Sequence, residues 1–324
     1  MNSKLSHRAH HTIEPSVRTL HGHFSRDRAP ILTVDSGDRV TVRVPDAGWH
    51  AFEQPRPLSF EGMTPFLAAP KPPGVGHCLV GPIAVRGARR GQTLEVVIEE
   101  VVPADWAWGA AGGWDTPLNS ALGMGEDGAS CTFMWERDAD RGVWVNEHGD
   151  AVPERPFPGV IGMPPPAPGR HSTVPPRRWG GNLDCRELVA GSRLFLPIPV
   201  DGAFVSLGDG HGAQGDGEVS GIAVECCLEE LTVTLRVHED LELDHPRALT
   251  PAGPITLGVG QSLDRATAVA VDGMIQWMQE RWGLSRPRAL ALASVAVDLR
   301  VTQAVNGVVG VHALLREDRL EVGR

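Results

Sequence analysis

The stretch GDGHGAQGDGE, residues 208–218, sets Asp209, His211, Asp216 and Glu218 among five glycines. Carboxylate oxygens and an imidazole nitrogen are the donors a hard or borderline divalent cation takes. Two neighbouring stretches supply more of them. GGNLDC (180–185) brings Asn182 and Asp184 just before a glycine-turn strand, and VSGIAVECCLE (219–229) carries Glu225 among apolar neighbours. A carboxylate in an apolar strand is costly to bury without a partner. The same Asp-Gly and Gly-Asp pairs are also common turn formers, so spacing alone leaves a plain glycine-rich turn as the alternative to a metal site.

Such side chains need a scaffold. SGDRVTVRV (36–44), RGQTLEVVI (90–98) and AGSRLFLPI (190–198) each place a glycine turn before a strand with apolar residues at every second position. Val40, Val42 and Val44 share one face, as do Leu94, Val96 and Ile98, and Leu194, Leu196 and Ile198. LEELTVTLRVH (228–238) adds a fourth alternating strand, and the apolar run GAFVSL (202–207) delivers Asp209 and His211 to the rim of a sheet. Between about 103 and 178 the chain is dense in proline and holds Trp106, Trp108, Trp114, Trp135 and Trp144. This predicts long ordered loops over the core rather than central strands, with GVWVN (142–146) in a hairpin. The C-terminal third changes period. A helix is expected over 262–283, capped by Ser262 and stopped by Gly283, with Ala266, Val269, Met274, Trp277 and Met278 near one face. A second is expected over roughly 285–303. The fold class is therefore α+β: a β-rich core of sandwich-like sheets over 1–240 with a long loop insert, and a helical region over 241–324 packed on it.

Composition narrows the partners. The 324 residues are 41% hydrophobic and 22% charged, enough for a substantial core. The formal charge of −10, with no long basic run, argues against a nucleic-acid partner. No apolar run approaches a membrane span, so no membrane partner is expected, and MNSKLSHRAHHTIEP at the start has no apolar signal segment. The five cysteines show no metal-knuckle or disulfide spacing and read as reduced, mostly buried thiols of a cytoplasmic protein.

Four stretches together are similar to the acetamidase/formamidase family of amide hydrolases, unrelated to the nitrilase-type amidases. They are LVGPIAVRGARRGQTLEVVI (79–98), PFPGVIGMPP (156–165), GGNLDCRELVAGSRLFLPIPVDGAFVSLGDGHGAQGDGEVSGIAVE (180–225) and ALASVAVDLRVTQAVNGVVGV (291–311). The resemblance implies a β-rich core with C-terminal helices, a homo-oligomer, and hydrolysis of a short linear carboxamide to a carboxylate and ammonia. It also implies a bound divalent metal, often zinc, at the positions matching Asp184, Asp209, His211 and Glu225. Glu218, in the GDGE motif, becomes the candidate general base or acid, and Asn182 or backbone N–H groups of the glycine loop could stabilise an oxyanion. No GxSxG motif supports a serine nucleophile.

Two features depart from the family pattern. HCLVGP stands where many members read NPxTGP, which makes His77 a candidate substitute ligand or proton carrier, or else a packed loop histidine. The tryptophan-rich middle leaves room for lactams or larger aromatic amides as substrates, and a non-catalytic metal-containing binding protein is the other alternative. DAGWHAFEQP (46–55) offers Asp46 as the nearest match to an acidic residue the family carries after its first strand, with strand-end capping as its plain reading.

Overall fold

The computed structural model describes residues 8–50 and 76–323; positions 1–7 and 51–55 of the segments discussed above lie outside them. The architecture is strand-rich α+β, as the alternating segments predict. Its spine is a pair of long antiparallel strands, Thr93–Ala111 and Glu225–His238, in register at Val96↔Leu235 and Ile98↔Val233. Strand Arg39–Val44 continues the sheet beyond Glu225–His238, with Val42 opposite Leu231. On the other side, Arg193–Pro197 pairs with Thr93–Ala111, Leu194 opposite Val96. Each expected apolar face is buried: Val40, Val42, Val44, Leu94, Val96, Ile98, Leu194, Leu196, Leu231, Val233 and Leu235 all lie in one continuous core. Burying each such side chain contributes on the order of 1.5–3 kcal/mol, which is what fixes the register against a one-residue slip.

A second group of strands crosses the end of this spine. Val205–His211 runs antiparallel to Leu79–Val85 on one side and to Phe157–Gly162 on the other, and Gly180–Asn182 adds to Phe157–Gly162. The last residues of Val205–His211 also pair with the first of Glu225–His238, Gly210↔Cys226 and His211↔Glu225. His211 therefore sits where three strands meet, opposite both Glu225 and Phe157.

Three expectations are corrected. The 103–178 region is not loop alone. Thr93–Ala111 runs straight through Pro103, and Cys131–Asp138, Val143–Asn146 and Ala151–Pro153 extend the sheet from its far end. Pro103 falls where the ladder bulges: the register shifts on both sides of its partner Leu228, and bulges are among the sheet positions that admit proline. GVWVN does form hairpin pairs, with Cys131–Asp138 and Ala151–Pro153. The second helix is shorter than expected. It covers Arg286–Ala296, and Val297–Gln303 is a strand against Val309–Leu315, because the period-two run Val297, Leu299, Val301 takes over from the alanine-rich turns. The third correction concerns residues 208–211, which are not a loop but the end of a central strand.

The first C-terminal helix is Leu263–Trp282. Ser262 caps it through Arg265 N, and Gly283 closes it in the left-handed conformation. Its buried stripe is Ala266, Ala270, Met274, Ile275 and Met278, packed against Val311, Ala313 and Leu315; Val269 and Trp277 are only half-buried. Residues 241–324 thus hold two helices and the strands Arg247–Thr250, Gly253–Gly260, Val297–Gln303 and Val309–Leu315. All five cysteines are free, and all but Cys131 are buried. Among the described residues, no helix is long and apolar enough to cross a membrane.

Candidate metal centre

Asp209 and His211 lie two residues apart on one strand, so their side chains leave the same face. That strand threads between close neighbours. A Cβ on Gly210 would lie 2.5 Å from the Cys226 carbonyl oxygen, and one on Gly208 would collide with the Cys78 carbonyl. The glycines flanking Asp209 are therefore set by backbone approach. Asp184 follows the Gly180–Asn182 strand, held by hydrogen bonds from Leu183 N and Asp184 N to the Gly159 carbonyl at 3.0 and 3.2 Å. Glu218 comes from a turn in which Gly217 bridges to Gln303, and Glu225 opens the long strand opposite His211.

These five converge. One ligand atom from each of Asp184, His211 and Glu218 lies within 4.8 Å of the others, and the same holds for Asp209, His211 and Glu225. His211 Nε2 is 3.4 Å from Asp209 Oδ2 and 3.6 Å from Glu225 Oε2. The imidazole is oriented from behind: its Nδ1–H donates to Gln214 Oε1 at 2.8 Å, while Gln214 Nε2 donates to the Asp184 carbonyl at 2.8 Å. Phe157 meets its ring edge-on, with centroids 5.0 Å apart. Such an outer contact fixes tautomer and ring direction and leaves Nε2 facing the carboxylates.

All five residues are buried. Among the described residues, Asp184 Oδ1, Glu218 Oε2 and Glu225 Oε2 have no hydrogen-bond partner, and no lysine or arginine pairs with any of the four carboxylates. Asp184, Asp209 and Glu218 also hold left-handed backbone, with φ of 48°, 62° and 46°. Strain of this kind costs on the order of 1–3 kcal/mol per residue and collects at functional sites.

The electrostatics follow from this crowding. Burial, reinforced by the charge of Asp209, pushes the Asp184 carboxyl up to about 7. Burial raises Glu225 to about 8, with Asp209 adding to the shift against the pull of His211. Glu218 rises well above the usual carboxylate range, through burial and then Asp184. Burial would raise Asp209 too, but His211 and His77 outweigh it and hold it down at about 2. Burial works to lower His211, and Glu225 and Asp209 instead carry it well above the ordinary imidazole value. Four carboxylates share one imidazole, and a divalent cation relieves that imbalance. The orphaned oxygens point to one as well. Gly159 leaves the space for it: a Cβ there would lie 2.5 Å from Asp209 Oδ2, 2.8 Å from His211 Cε1 and 2.9 Å from Asp184 Oδ1. The donor set, one nitrogen and several oxygens, fits zinc or a similar cation.

Asn182 is buried two residues before Asp184, and its Oδ1 has no hydrogen-bond partner among the described residues. His77 is half-buried. Its backbone N–H donates to Thr173 Oγ1 at 3.0 Å, its Nδ1 lies 2.9 Å from the same hydroxyl, and its field reaches Asp209. Asp216 turns away from the cluster, 3.7 Å from Arg300. Asp46 is fully buried and accepts hydrogen bonds from His50 N at 2.7 Å, from the His50 ring at 2.8 Å and from the Trp108 indole; it lies outside both ligand groups, although its charge reaches Glu225. Gln214, Asn306 and Gly159 carry no role in the residue-by-residue reading. All three lie inside the quoted stretches GDGHGAQGDGE, AVNGVVG and PFPGVIGMPP, so the resemblance marks their neighbourhoods while their side-chain types do not declare a function.

The fold and this cluster define a strand-rich protein built around a buried candidate metal centre. The sequence model of the acetamidase/formamidase family matches residues 167–314, which include every member of the cluster. An acetamidase from Mycolicibacterium smegmatis is 27% identical over 222 residues, 51% of this chain and 53% of that protein. The chain thus spans about half the length of that curated relative. Two solved structures match far more completely. The acetamidase from Bacillus halodurans is 28% identical with a TM-score of 0.77, covering 94% of this chain and 97% of that one. A predicted acetamidase/formamidase from Thermoanaerobacter tengcongensis is 25% identical with a TM-score of 0.80, covering 95% and 96%. Over residues 167–314, and in its whole fold, the chain is similar to the acetamidase/formamidase family.

Proposed function

We propose that this protein hydrolyses the carbon–nitrogen bond of linear carboxamides, releasing a carboxylate and ammonia, with a divalent metal, zinc, held by Asp184, Asp209, His211 and Glu225. The observation that carries the reading is the buried set of four carboxylates around one imidazole, with no cationic side chain among the described residues to balance them. Names of relatives agree with it: the matched proteins from Mycolicibacterium and Bacillus are called acetamidases. We further place the protein in the cytoplasm as a homo-oligomer, in line with the family resemblance and the reduced thiols.

An amide is a poor electrophile with a poor leaving group. A divalent cation held by these residues would supply Lewis acidity toward the carbonyl and would lower the pKa of a bound water toward about 7. The chain does the rest. Glu218, at the edge of the cluster and on the wall of a cavity, accepts the proton of the attacking water and returns it to the departing nitrogen. Asn182, buried two residues before Asp184, is the candidate to steady the oxygen of the tetrahedral species, and His77, whose charge reaches Asp209, is the candidate second proton carrier.

The test is ammonia release from formamide, acetamide and larger amides by purified protein, before and after chelation and metal return. Release that stops with chelator and returns with zinc supports the whole reading. Release that survives stripping keeps the amidase and rules out the metal. Folded, metal-loaded protein that releases none from any amide excludes the activity.

A further inference from the structure

A cavity of about 500 Å³ opens directly against the cluster. Glu218 and Gln214 stand at its inner end, and Phe133, Trp135, Val152 and Ile222 form much of its side. The Phe133 and Trp135 rings lie 6.2 Å apart, centroid to centroid, and tilted 54° to each other. The space is far larger than the smallest amides need. Acetamide has four non-hydrogen atoms, and at the roughly 30 Å³ that one water takes in the liquid it fills on the order of 100 Å³. A cavity of this size and lining is of the class that encloses ligands of ring size and above.

Its charged groups lie at one part of the wall. Arg155 pairs with buried Glu187, which also takes Arg300, and Arg186 and Asp216 line the same space. The aromatic and branched side chains that form its side favour an apolar tail.

We propose that the preferred substrate is a primary amide whose acyl chain ends in a neutral aromatic ring, seated against Phe133 and Trp135 while its carboxamide faces Glu218. The inference rests on the amide-hydrolase reading and narrows its substrate class. Water adds its oxygen to the carbonyl carbon, the C–N bond breaks, and the products are an arylalkanoate and ammonia; no oxidant or further reactant is needed.

Steady-state kinetics on acetamide, phenylacetamide and 3-phenylpropanamide test it, with Val152→Trp as a cavity-filling variant. For the native protein, kcat/KM for the better arylamide is expected to exceed that for acetamide at least tenfold. Val152→Trp should lower the arylamide value at least tenfold and the acetamide value less than twofold. Val219→Trp, at the cavity rim where Val219 is 65% exposed, gives the same reading should Val152→Trp fail to fold. Acetamide turned over as well as or better than both arylamides, or both substrates affected alike by the folded variants, or neither affected, would overturn the inference and leave the hydrolase reading standing. Absence of ammonia from every amide, in folded and metal-loaded protein, would remove the hydrolase reading itself.

Discussion

Asn306 donates its side-chain N–H to Asp184 Oδ2 at 2.6 Å, joining the turn after the Val297–Gln303 strand to a carboxylate 122 residues earlier. The turn is itself fixed, because Gln303 Oε1 accepts from Val305 N at 3.0 Å and Asn306 N at 3.1 Å. Asp184 is thereby held by one oxygen while its other, Oδ1, has no hydrogen-bond partner among the described residues. A carboxylate so oriented presents one lone-pair-rich atom to a cation and does not swing between positions. Removing the orienting contact typically costs ten- to a hundredfold in metal affinity. Asn306→Leu is therefore expected to release its metal to a competing chelator at ten- to a hundredfold lower chelator concentration. Unchanged retention would show that Asp184 needs no such hold.

Glu218 has two possible duties, and one variant separates them. Its carboxylate shares a ligand-sized group with Asp184 and His211, and it also lines the cavity. Glu218→Gln keeps the shape and removes the base. With the metal still bound, turnover should fall by about 10²–10⁴, the usual worth of a positioned general base. Metal lost along with activity would instead make Glu218 a ligand, and turnover near the native rate would remove it from the chemistry.

Much of the scaffold was legible because burial acts through side-chain period. Val40, Val42 and Val44, or Leu231, Val233 and Leu235, declare their strands and faces by alternation alone, and Ser262 and Gly283 mark the helix between them. The run through Pro103 was hidden because a bulge makes proline admissible, and a bulge is a property of two strands rather than one. Glycine density suggested a loop at 208–211, yet glycine there answers to backbone pressed against Cys78 and Cys226, partners distant in sequence. The same limit applies at the site. Asp184, Asp209, His211, Glu218 and Glu225 could be proposed from residue type and resemblance, whereas Gln214, Asn306 and Gly159 act through geometry that only the fold creates.

Two buried histidines make stability depend on pH. Burial lowers His21 to about 3, helped by Arg28, and lowers His312 to about 3, helped by Arg300 and Arg186. Their neutral rings are held by contacts of His21 Nε2 with Ser206 Oγ at 3.0 Å and of His312 Nδ1 with Thr302 Oγ1 at 2.8 Å. The folded pKa lies below the unfolded one, so between about 6.5 and 3 the unfolded chain binds protons that the folded chain does not. Stability is thus intact above pH 6.5 and falls as pH drops, by up to about 1.4 kcal/mol per pH unit for each histidine. Urea unfolding at pH 8 and pH 5 should show this loss, and His312→Leu should reduce it by about 2 kcal/mol. An equal loss in the variant would mean that His312 charges without unfolding the chain.

The space under the cluster gives the most direct test of the centre. Gly159 contributes no side chain, and the nearest atoms to a Cβ placed there belong to Asp209, His211 and Asp184. Gly159→Ala would push a methyl group between three of the groups that face the cation, all of them buried and held by the surrounding strands. They cannot give way independently, so we expect an overpacking cost of about 1–3 kcal/mol, with loss of bound metal and of amidase activity at temperatures where the chain remains folded. Gly215→Ala, in the glycine-rich stretch that carries Asp209 and His211, is the control, since a Cβ there meets nothing within 4 Å, and it should retain metal. Metal analysis alongside thermal unfolding decides the matter. Gly159→Ala that keeps native metal content would place the cation away from the Asp184, Asp209 and His211 side of the cluster, and equal metal loss in both variants would trace the effect to the loss of a glycine near the centre rather than to the space beneath the ligands.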